Sequence, residues 1–329
     1  MRALNFCFVS LLSKGENLSR LIFSTPDYVP LAKRLCEIAE YKPGNVSFNP
    51  FPDGETGLCI ADKVQGREVT VLAGMPSAKD TMMLYYLLYG LIRYGAEQLK
   101  VVIPYFGCST MERTNHKGEV PTAKANAVLL STIGNMRRTT FLLMHLHTDG
   151  IPQYFEGRCS VQHLSCEALL TNMIRDTVNG DKFVIGTADA GGAKAVQRLA
   201  KLCNVDVAVV FKERASGSET TIRQTQGDVG GKHVVIVDDM VRTGSSLKQA
   251  ALSYRAMGAK KVSVVVSHGV FIETDPQAAL DRLFDDGAID HLNCTDTHPR
   301  VSQLKHPKLR IYSTAEEIKS ALSGESLVL

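Results

Sequence analysis

The chain has 329 residues, 44% of them hydrophobic, which is enough for two domains of roughly 150 residues each. Its 37 basic and 34 acidic side chains give a net charge of +3, too balanced to predict nucleic-acid binding as a main role. Eight scattered cysteines lack metal-ligand spacing, and no apolar run reaches the roughly 18 residues of a membrane helix, so we expect a cytoplasmic protein that does not enter the membrane.

The chain begins with a short apolar stretch at residues 3–12, ALNFCFVSLL, which lacks the small-x-small cleavage site of a secretory signal. A first strand or a packed extension is the better interpretation. We therefore assign residues 1–19 to an N-terminal extension.

Apolar strand patterns then alternate with helical patterns along the whole chain. The predicted strands cover residues 69–73, 101–104, 141–144, 183–186, 207–211, 234–237 and 262–266, with helices such as residues 82–94 between them. This alternation predicts an α/β protein with mainly parallel sheets covered by helices on both faces.

A weak internal repeat suggests that there are two similar domains. Residues 93–103 and 255–265 both run from the end of a helix, through a Gly suited to a helix C-cap, into an apolar strand. We therefore expect an N-terminal domain at residues 20–160 and a C-terminal domain at residues 161–329.

Three short polar segments follow strands or precede them. Residues 51–55, FPDGE, read as a simple turn by themselves. His145 and His147 follow the strand at 141–144; at a spacing of two they share one strand face, so they form either a transition-metal site or hydrogen-bonded scaffold. Asp189, after the strand at 183–186, is either a ligand of a hard cation or a helix N-cap.

Residues 212–214, Lys-Glu-Arg, end the strand at 207–211 and enter a polar loop, where a solvated charge cluster is the ordinary interpretation.

The segment at residues 234–247, VVIVDDMVRTGSSL, carries the strongest signal. A buried strand at 234–237 precedes a small-residue turn and a helix that we expect to begin at Ser246. Such a turn lies at the carboxyl end of a strand, where backbone N–H groups can converge on a phosphate. Asp238 and Asp239 then suit sugar hydroxyls or a divalent cation. The alternative, an acidic turn capped by Thr or Ser, fits the combined pattern less well.

This segment resembles the phosphoribosyl-pyrophosphate loop of type I phosphoribosyltransferases and, above all, of ribose-phosphate pyrophosphokinases. Further matches to the second family follow in one register, at residues 51–55, 101–107, 122–124, 187–192 and 212–214. The resemblance implies two similar type I phosphoribosyltransferase-like domains, each a mainly parallel sheet flanked by helices.

The resemblance also implies a role for each matching residue. In that family, the segment that matches residues 51–55 holds the adenine of ATP across a subunit interface. The implied ATP-binding residues are Phe51, Asp53, Glu55, Glu112 and Arg113. His147 and Asp189 are implied to bind Mg²⁺, and Lys212 and Arg214 to be catalytic. The implied ribose 5-phosphate residues are Asp238, Asp239, Arg242, Thr243, Gly244, Ser245 and Ser246.

The activity implied is transfer of the diphosphoryl group of ATP to the 1-hydroxyl of ribose 5-phosphate, with Mg²⁺ as cofactor and self-association into dimers and a hexamer. An alternative is a catalytically impaired regulatory subunit associated with an active family member. Departures from the family pattern at Thr110, Met111, His145 and Arg242 support this alternative. A phosphoribosyltransferase acting on a base is a third interpretation, which the adenine-segment match disfavours.

Overall fold

A computed structural model of the protein describes the backbone of residues 20–189, 191–214 and 220–324. The side chains of the same residues are described, apart from those of residues 211–225. The extension expected at residues 1–19 lies outside the described residues. Within the described part, no helix is both long and apolar enough to cross a membrane.

The first half of the chain forms a six-stranded parallel sheet in the order β2-β1-β5-β6-β7-β8. An antiparallel hairpin, β3 with β4, stands apart from this sheet. The elements are β1 (Arg20–Ser24), α1 (Val29–Ile38), β2 (Tyr41–Pro43), β3 (Val46–Pro50), β4 (Thr56–Ile60), β5 (Glu68–Leu72), α2 (Ala78–Arg93), β6 (Gln98–Ile103), α3 (Thr122–Met136), β7 (Arg138–Met144) and β8 (Ser160–Leu164).

The second half forms a seven-stranded sheet in the order β11-β10-β9-β12-β13-β14-β15, parallel except for β11 against β10. Its elements are α4 (Glu167–Val178), β9 (Phe183–Thr187), α5 (Ala193–Cys203), β10 (Val207–Arg214), β11 (Thr220–Gln226), β12 (His233–Val241), α6 (Ser245–Ala256), β13 (Lys261–Gly269), α7 (Pro276–Arg282), β14 (His291–Thr295), β15 (Leu309–Tyr312) and α8 (Ala315–Ser323).

The uninterrupted apolar run of β12 follows from its central position in this sheet. Val234 and Ile236 pack into the core on one face, whereas Val235 and Val237 pack into the core on the other. Because helices cover both faces, no residue of this run can be polar at low cost. The strand is longer than predicted: it runs to Val241, so Asp238 and Asp239 lie within it, and α6 begins one residue earlier than expected.

One of the buried hydrophobic clusters contains residues from both halves of the chain. Ile22 and Leu35 from the first half and Val235 and Val265 from the second belong to a single buried cluster. The Tyr28 hydroxyl also donates to the carbonyl oxygen of Thr297 across the junction, at 3.0 Å. The first sheet includes β8 up to Leu164, and the division at residue 160 stays a prediction.

Candidate active site

Two adjacent carboxylates near the end of β12 form the centre of the site. The Asp239 backbone N–H donates to Asp238 Oδ1 at 3.0 Å. Burial, with the neighbouring charge of Asp239, raises the pKa of Asp238 to about 8. Burial acts in the same direction on Asp239, but the hydrogen bond and charge of His147 outweigh it, and the pKa of Asp239 is lowered. At neutral pH the pair therefore combines one protonated and one ionised carboxyl group.

His147 comes from the first half of the chain and meets this pair. Its Nδ1 lies 2.5 Å from Asp239 Oδ2. The hydrogen bond to Asp239 raises the pKa of His147 against the effect of burial, and the charges of Glu112 and Asp238 act in the same direction. The contact joins the carboxyl end of one sheet to that of the other, where ligands of α/β proteins bind.

The turn after β12 leads into α6, with Thr243, Ser245 and Ser246 exposed and Gly244 buried. Gly244 has a φ of +79°, and a Cβ at this position would lie 2.2 Å from Cδ2 of Leu283. Only glycine satisfies both constraints at this position. The N-cap residue of α6, Gly244, has no side-chain cap, but the Ser245 N–H donates to Thr243 Oγ1 at 3.4 Å, so the capping alternative is realised in part. The N-terminus of the helix still favours an anion.

Asp189 follows β9, the strand next to β12. Its Oδ1 accepts hydrogen bonds from the N–H groups of Gly191 at 2.8 Å and Gly192 at 3.2 Å, directly before α5. Its charge also acts on Asp238, whose pKa it raises. Asp189 thus organises the turn before the helix and also lies near the carboxylate pair.

The donor set fits a Mg²⁺ ion that takes further ligands from a substrate. The described residues contain no group of three or more His, Cys, Asp or Glu side chains that could hold a metal by themselves. The carboxylate oxygens of Asp189 suit this hard cation, which commonly keeps phosphate and water ligands. His147 bonds a carboxylate through Nδ1, the arrangement that orients an imidazole to bind a metal through Nε2.

The two histidines after β7 do not lie on a strand, so the prediction that they share one strand face was wrong. The strand ends at Met144, and His145 has a φ of +40°, so the chain turns at this point. The rings of His145 and His268 lie 6.1 Å apart. Burial and the proximity of His268 lower the pKa of His145 to about 3. The strand-based transition-metal pair is therefore excluded.

The segment at residues 51–55 forms the turn of the β3–β4 hairpin. Phe51 N–H donates to the carbonyl oxygen of Glu55 at 2.8 Å, and Glu55 N–H donates to Asp53 Oδ1 at 3.1 Å. The ring of Phe51 is 53% exposed. The simple-turn interpretation is therefore right for the backbone, while the exposed ring remains available to a ligand or a second subunit.

Glu112 and Arg113 lie on the segment between β6 and α3. The carbonyl oxygen of Glu112 accepts a hydrogen bond from the Tyr154 hydroxyl at 2.8 Å. Its carboxylate forms an ion pair with Arg113 at 3.5 Å, and the Arg113 side chain is exposed. Because the charge of Glu112 raises the pKa of His147, this segment borders the carboxylate site.

Comparisons with known proteins match both halves of the chain. Residues 20–134 match the N-terminal domain of ribose phosphate pyrophosphokinase, and residues 218–327 match the phosphoribosyl synthetase-associated domain. The ribose-phosphate pyrophosphokinase of Xanthomonas campestris pv. campestris is 32% identical over 316 residues, which cover 93% of this chain and 96% of that relative. That of Fusobacterium nucleatum subsp. nucleatum is 29% identical, covering 92% of this chain and 93% of the relative.

The chain belongs to the ribose-phosphate pyrophosphokinase family. The crystal structure of phosphoribosylpyrophosphate synthetase from Mycobacterium smegmatis is similar over 93% of this chain and 98% of that one, with a TM-score of 0.82 and 25% identity. The resemblance inferred from the motifs and the expected fold of two mainly parallel, helix-flanked sheets are both confirmed.

Lys212 and Arg214, the two residues expected to be catalytic, lie at the end of β10. The backbone of Lys212 and Arg214 pairs with β11, and the register shifts between Phe211 and Lys212. The side chains of both residues lie outside those described. Their catalytic role stays a prediction.

Arg242 lies in the turn that is expected to bind ribose 5-phosphate. Its side chain is exposed, and its carbonyl oxygen accepts a hydrogen bond from Ile272 at 3.2 Å. Burial raises the pKa of Tyr105, and the positive charge of Arg242 opposes this shift. Arg242 therefore lies on the Tyr105 side of the site, and it forms no ion pair with the carboxylates among the described residues.

Sequence reasoning missed a group of buried residues behind the carboxylates. Tyr105 makes edge contacts with the rings of His268 and His298, at centroid distances of 5.2 and 4.8 Å. These residues come from β6, β13 and β14 or the turns that follow them. No local motif connects them, because only the packing of the two halves brings them together.

Proposed function

We propose that this protein is an enzyme that transfers the β,γ-diphosphoryl group of ATP to the 1-hydroxyl of ribose 5-phosphate. The observation that carries the proposal is the 2.5 Å contact between His147 and Asp239. It joins the half that holds the expected ATP-binding residues to the half that holds the expected ribose residues. Membership of the family supports the same activity.

Ribose 5-phosphate binds at the start of α6 in this proposal. Its 5-phosphate accepts hydrogen bonds from the backbone of Thr243, Gly244, Ser245 and Ser246, where the helix dipole favours an anion. Arg242 adds a positive charge beside it. The ribose hydroxyls bond to Asp238 and Asp239, one protonated and able to donate, the other ionised and able to accept.

The 1-hydroxyl oxygen attacks the β-phosphorus of ATP, the bond from that phosphorus to the α,β-bridging oxygen breaks, and AMP leaves with the electron pair while the hydroxyl proton is released. Such transfers depend mainly on positioning and charge stabilisation. Lys212 and Arg214 would neutralise charge on the moving group. Phe51, Asp53 and Glu55 would hold the adenine, with Glu112 and Arg113 near the phosphates.

Mg²⁺ would be held through Asp189 and through Nε2 of His147 in its neutral form, and it would neutralise charge on the phosphate oxygens. The hydrogen bond from Nδ1 of His147 to Asp239 would keep the imidazole in the required tautomer and orientation. Asp189 remains anchored through Oδ1 by the two glycine N–H groups, which fixes the direction of its carboxylate.

Self-association into dimers and a hexamer is part of the proposal, since the ring of Phe51 lies exposed on a hairpin outside the main sheet. Light scattering of the purified protein would measure the oligomer size. A cytoplasmic location remains a prediction; all seven cysteines within the described residues are free thiols.

One assay tests the activity. The purified protein receives ATP, Mg²⁺ and ribose 5-phosphate, and adenine nucleotides are separated and measured. Release of AMP in step with the sugar diphosphate is the expected result. Release of ADP would indicate an ordinary kinase, and no turnover under any tested cation or phosphate concentration would contradict the proposal.

The second candidate, a catalytically impaired regulatory subunit, is favoured by Arg242 at a position where the family carries an acidic residue. This candidate predicts no AMP from the protein by itself. It also predicts that added protein changes the AMP release of an active family member. Co-purification followed by the same assay separates the two candidates.

A further inference from the structure

Residues 145–147 form a short segment between β7 and the rest of the site, and their own half of the chain holds them at one side. His145 N–H donates to the carbonyl oxygen of Leu164 at 2.9 Å. Leu146 N–H donates to Nε2 of His163, also at 2.9 Å. Both contacts lead to β8, the edge strand of the first sheet.

The other half of the chain holds the same segment at two further points. Nε2 of His268 lies 2.9 Å from the carbonyl oxygen of His145, and Asp239 bonds the side chain of His147. His268 lies on β13 and Asp239 on the neighbouring strand β12, whose residue Met240 pairs with His268. Two adjacent strands of the second sheet therefore fix both ends of a segment from the first.

The direction of the hydrogen bond from His268 follows from its partners. A carbonyl oxygen can only accept, so Nε2 carries the proton and donates it. Nδ1 then accepts from the Thr297 hydroxyl at 2.8 Å. The Thr297 hydroxyl also lies 3.2 Å from the carbonyl oxygen of Ser267, but the Thr295 hydroxyl already donates to that oxygen at 2.6 Å, and Nδ1 of His268 is the nearer acceptor for the Thr297 proton. Both ring nitrogens are thus satisfied in the neutral form.

The packing around His268 prevents its imidazole from turning to another hydrogen-bond partner. The residue is 3% exposed, and the ring of Tyr105 lies edge-on against it. The backbone it holds is itself unusual, because His145 has a φ of +40°, which is uncommon for a residue other than glycine. Such a conformation persists only where the surrounding contacts determine it.

We propose that His268 is a positioning residue: by donating from Nε2 to the carbonyl oxygen of His145, it fixes residues 145–147 so that His147 reaches Asp239. The hydrogen bond spans the junction between the two halves and acts on the backbone two residues before His147. This inference rests on the proposed function for its effect on turnover. Its effect on the segment itself does not depend on any substrate.

Two substitutions of His268 distinguish the effect of its Nε2 donor from the effect of the rest of the imidazole. In His268→Gln, the side-chain amide can place a donor where Nε2 lies and reach His145. In His268→Asn, the shorter amide lies where Nδ1 lies, so it can keep the Thr297 contact but cannot reach His145. His233→Asn serves as a control, because it removes another buried imidazole, one that bonds Ser263 far from the segment.

The experiment measures backbone hydrogen exchange in peptides covering residues 145–150, together with steady-state kinetics. We expect His268→Asn to speed exchange in these peptides by ~10-fold, because one anchor of the segment is lost. We expect its kcat to fall by ~10²-fold, with a smaller change in the KM for ribose 5-phosphate, since the start of α6 is unaltered. His268→Gln should recover most of both losses, and His233→Asn should leave the exchange of the segment as in the parent.

Two results would overturn the inference: parental exchange in His268→Asn, or equal losses in the Asn and Gln variants. The second would show that the volume of the imidazole matters and that its donor does not. If the parent itself releases no AMP, the proposed function fails, and the exchange comparison still decides the role of His268.

Discussion

His147 Nδ1 and Asp239 Oδ2 lie 2.5 Å apart although the two residues are 92 positions apart in sequence; His147 follows β7 of the first sheet, whereas Asp239 lies on β12 of the second. The contact joins an imidazole whose pKa is raised to a carboxylate whose pKa is lowered. Each shift favours the charged form of its group. The pair therefore stabilises the junction of the two halves and also organises the carboxylate pair to which ribose is proposed to bind.

The pair predicts a specific pH dependence of stability. Because the folded pKa of His147 lies above its ordinary 6.5, its contribution is fully present below about pH 6.5 and is lost as pH rises through the folded pKa. The opposite shift of Asp239 makes its contribution present above about pH 4 and lost as pH falls through its folded pKa.

We therefore expect the difference in unfolding free energy between the parent and His147→Gln to be largest between these limits and to shrink as pH rises through the folded pKa of His147. The difference should be at most ~1 kcal/mol, since the His147 side chain is 39% exposed and solvent screens the pair. Urea denaturation at several pH values measures it. A difference that grows with alkaline pH would contradict the assignment.

Gly244→Ala should destabilise the fold and weaken ribose 5-phosphate binding. The change adds ~1 kcal/mol of backbone strain at a positive φ, and a Cβ there collides with Leu283, so we expect a total of ~2–4 kcal/mol. Gly287→Ala is the matched control, because Gly287 also has a positive φ but its added Cβ meets no atom within 4 Å. Equal losses of unfolding free energy in both variants would show that the contact with Leu283 does not contribute to the loss.

Asp189→Asn should lower turnover without lowering stability. The amide keeps an oxygen that accepts from Gly191 and Gly192, but it removes the negative charge that a cation requires. We expect kcat to fall by ~10²-fold and the Mg²⁺ concentration for half-maximal rate to rise, with an unchanged melting temperature. A loss of stability with normal Mg²⁺ dependence would show that Asp189 serves only the turn before α5.

Lys212→Ala should lower kcat by ~10²-fold or more, since the loss of one preorganised cation removes several kcal/mol of transition-state stabilisation. Glu213→Ala is the control from the same strand. Its own loss should be small, because the acidic group has no assigned role. Turnover of Lys212→Ala near that of the parent would remove Lys212 from the catalytic group.

The local motifs determined much of this site because each depends on residues close in sequence. The turn at residues 51–55, Asp189 at the end of β9 and the glycine turn before α6 form as their sequences predict. The lengths of the strands were harder to predict from the sequence. β12 continues past its apolar run, because its hydrogen bonds to β13 extend through Asp238 to Val241.

The sequence by itself determined the α/β class and the family, since periodicity and short motifs encode them, and it predicted a ribose-phosphate turn at residues 242–246. The tertiary structure alone decided which side chains meet. It ended β7 before His145, which has a positive φ, and it placed His268 on the carbonyl oxygen of His145 from 123 residues away. Contacts of this kind depend on how two sheets pack, a relationship that no local pattern of residues records.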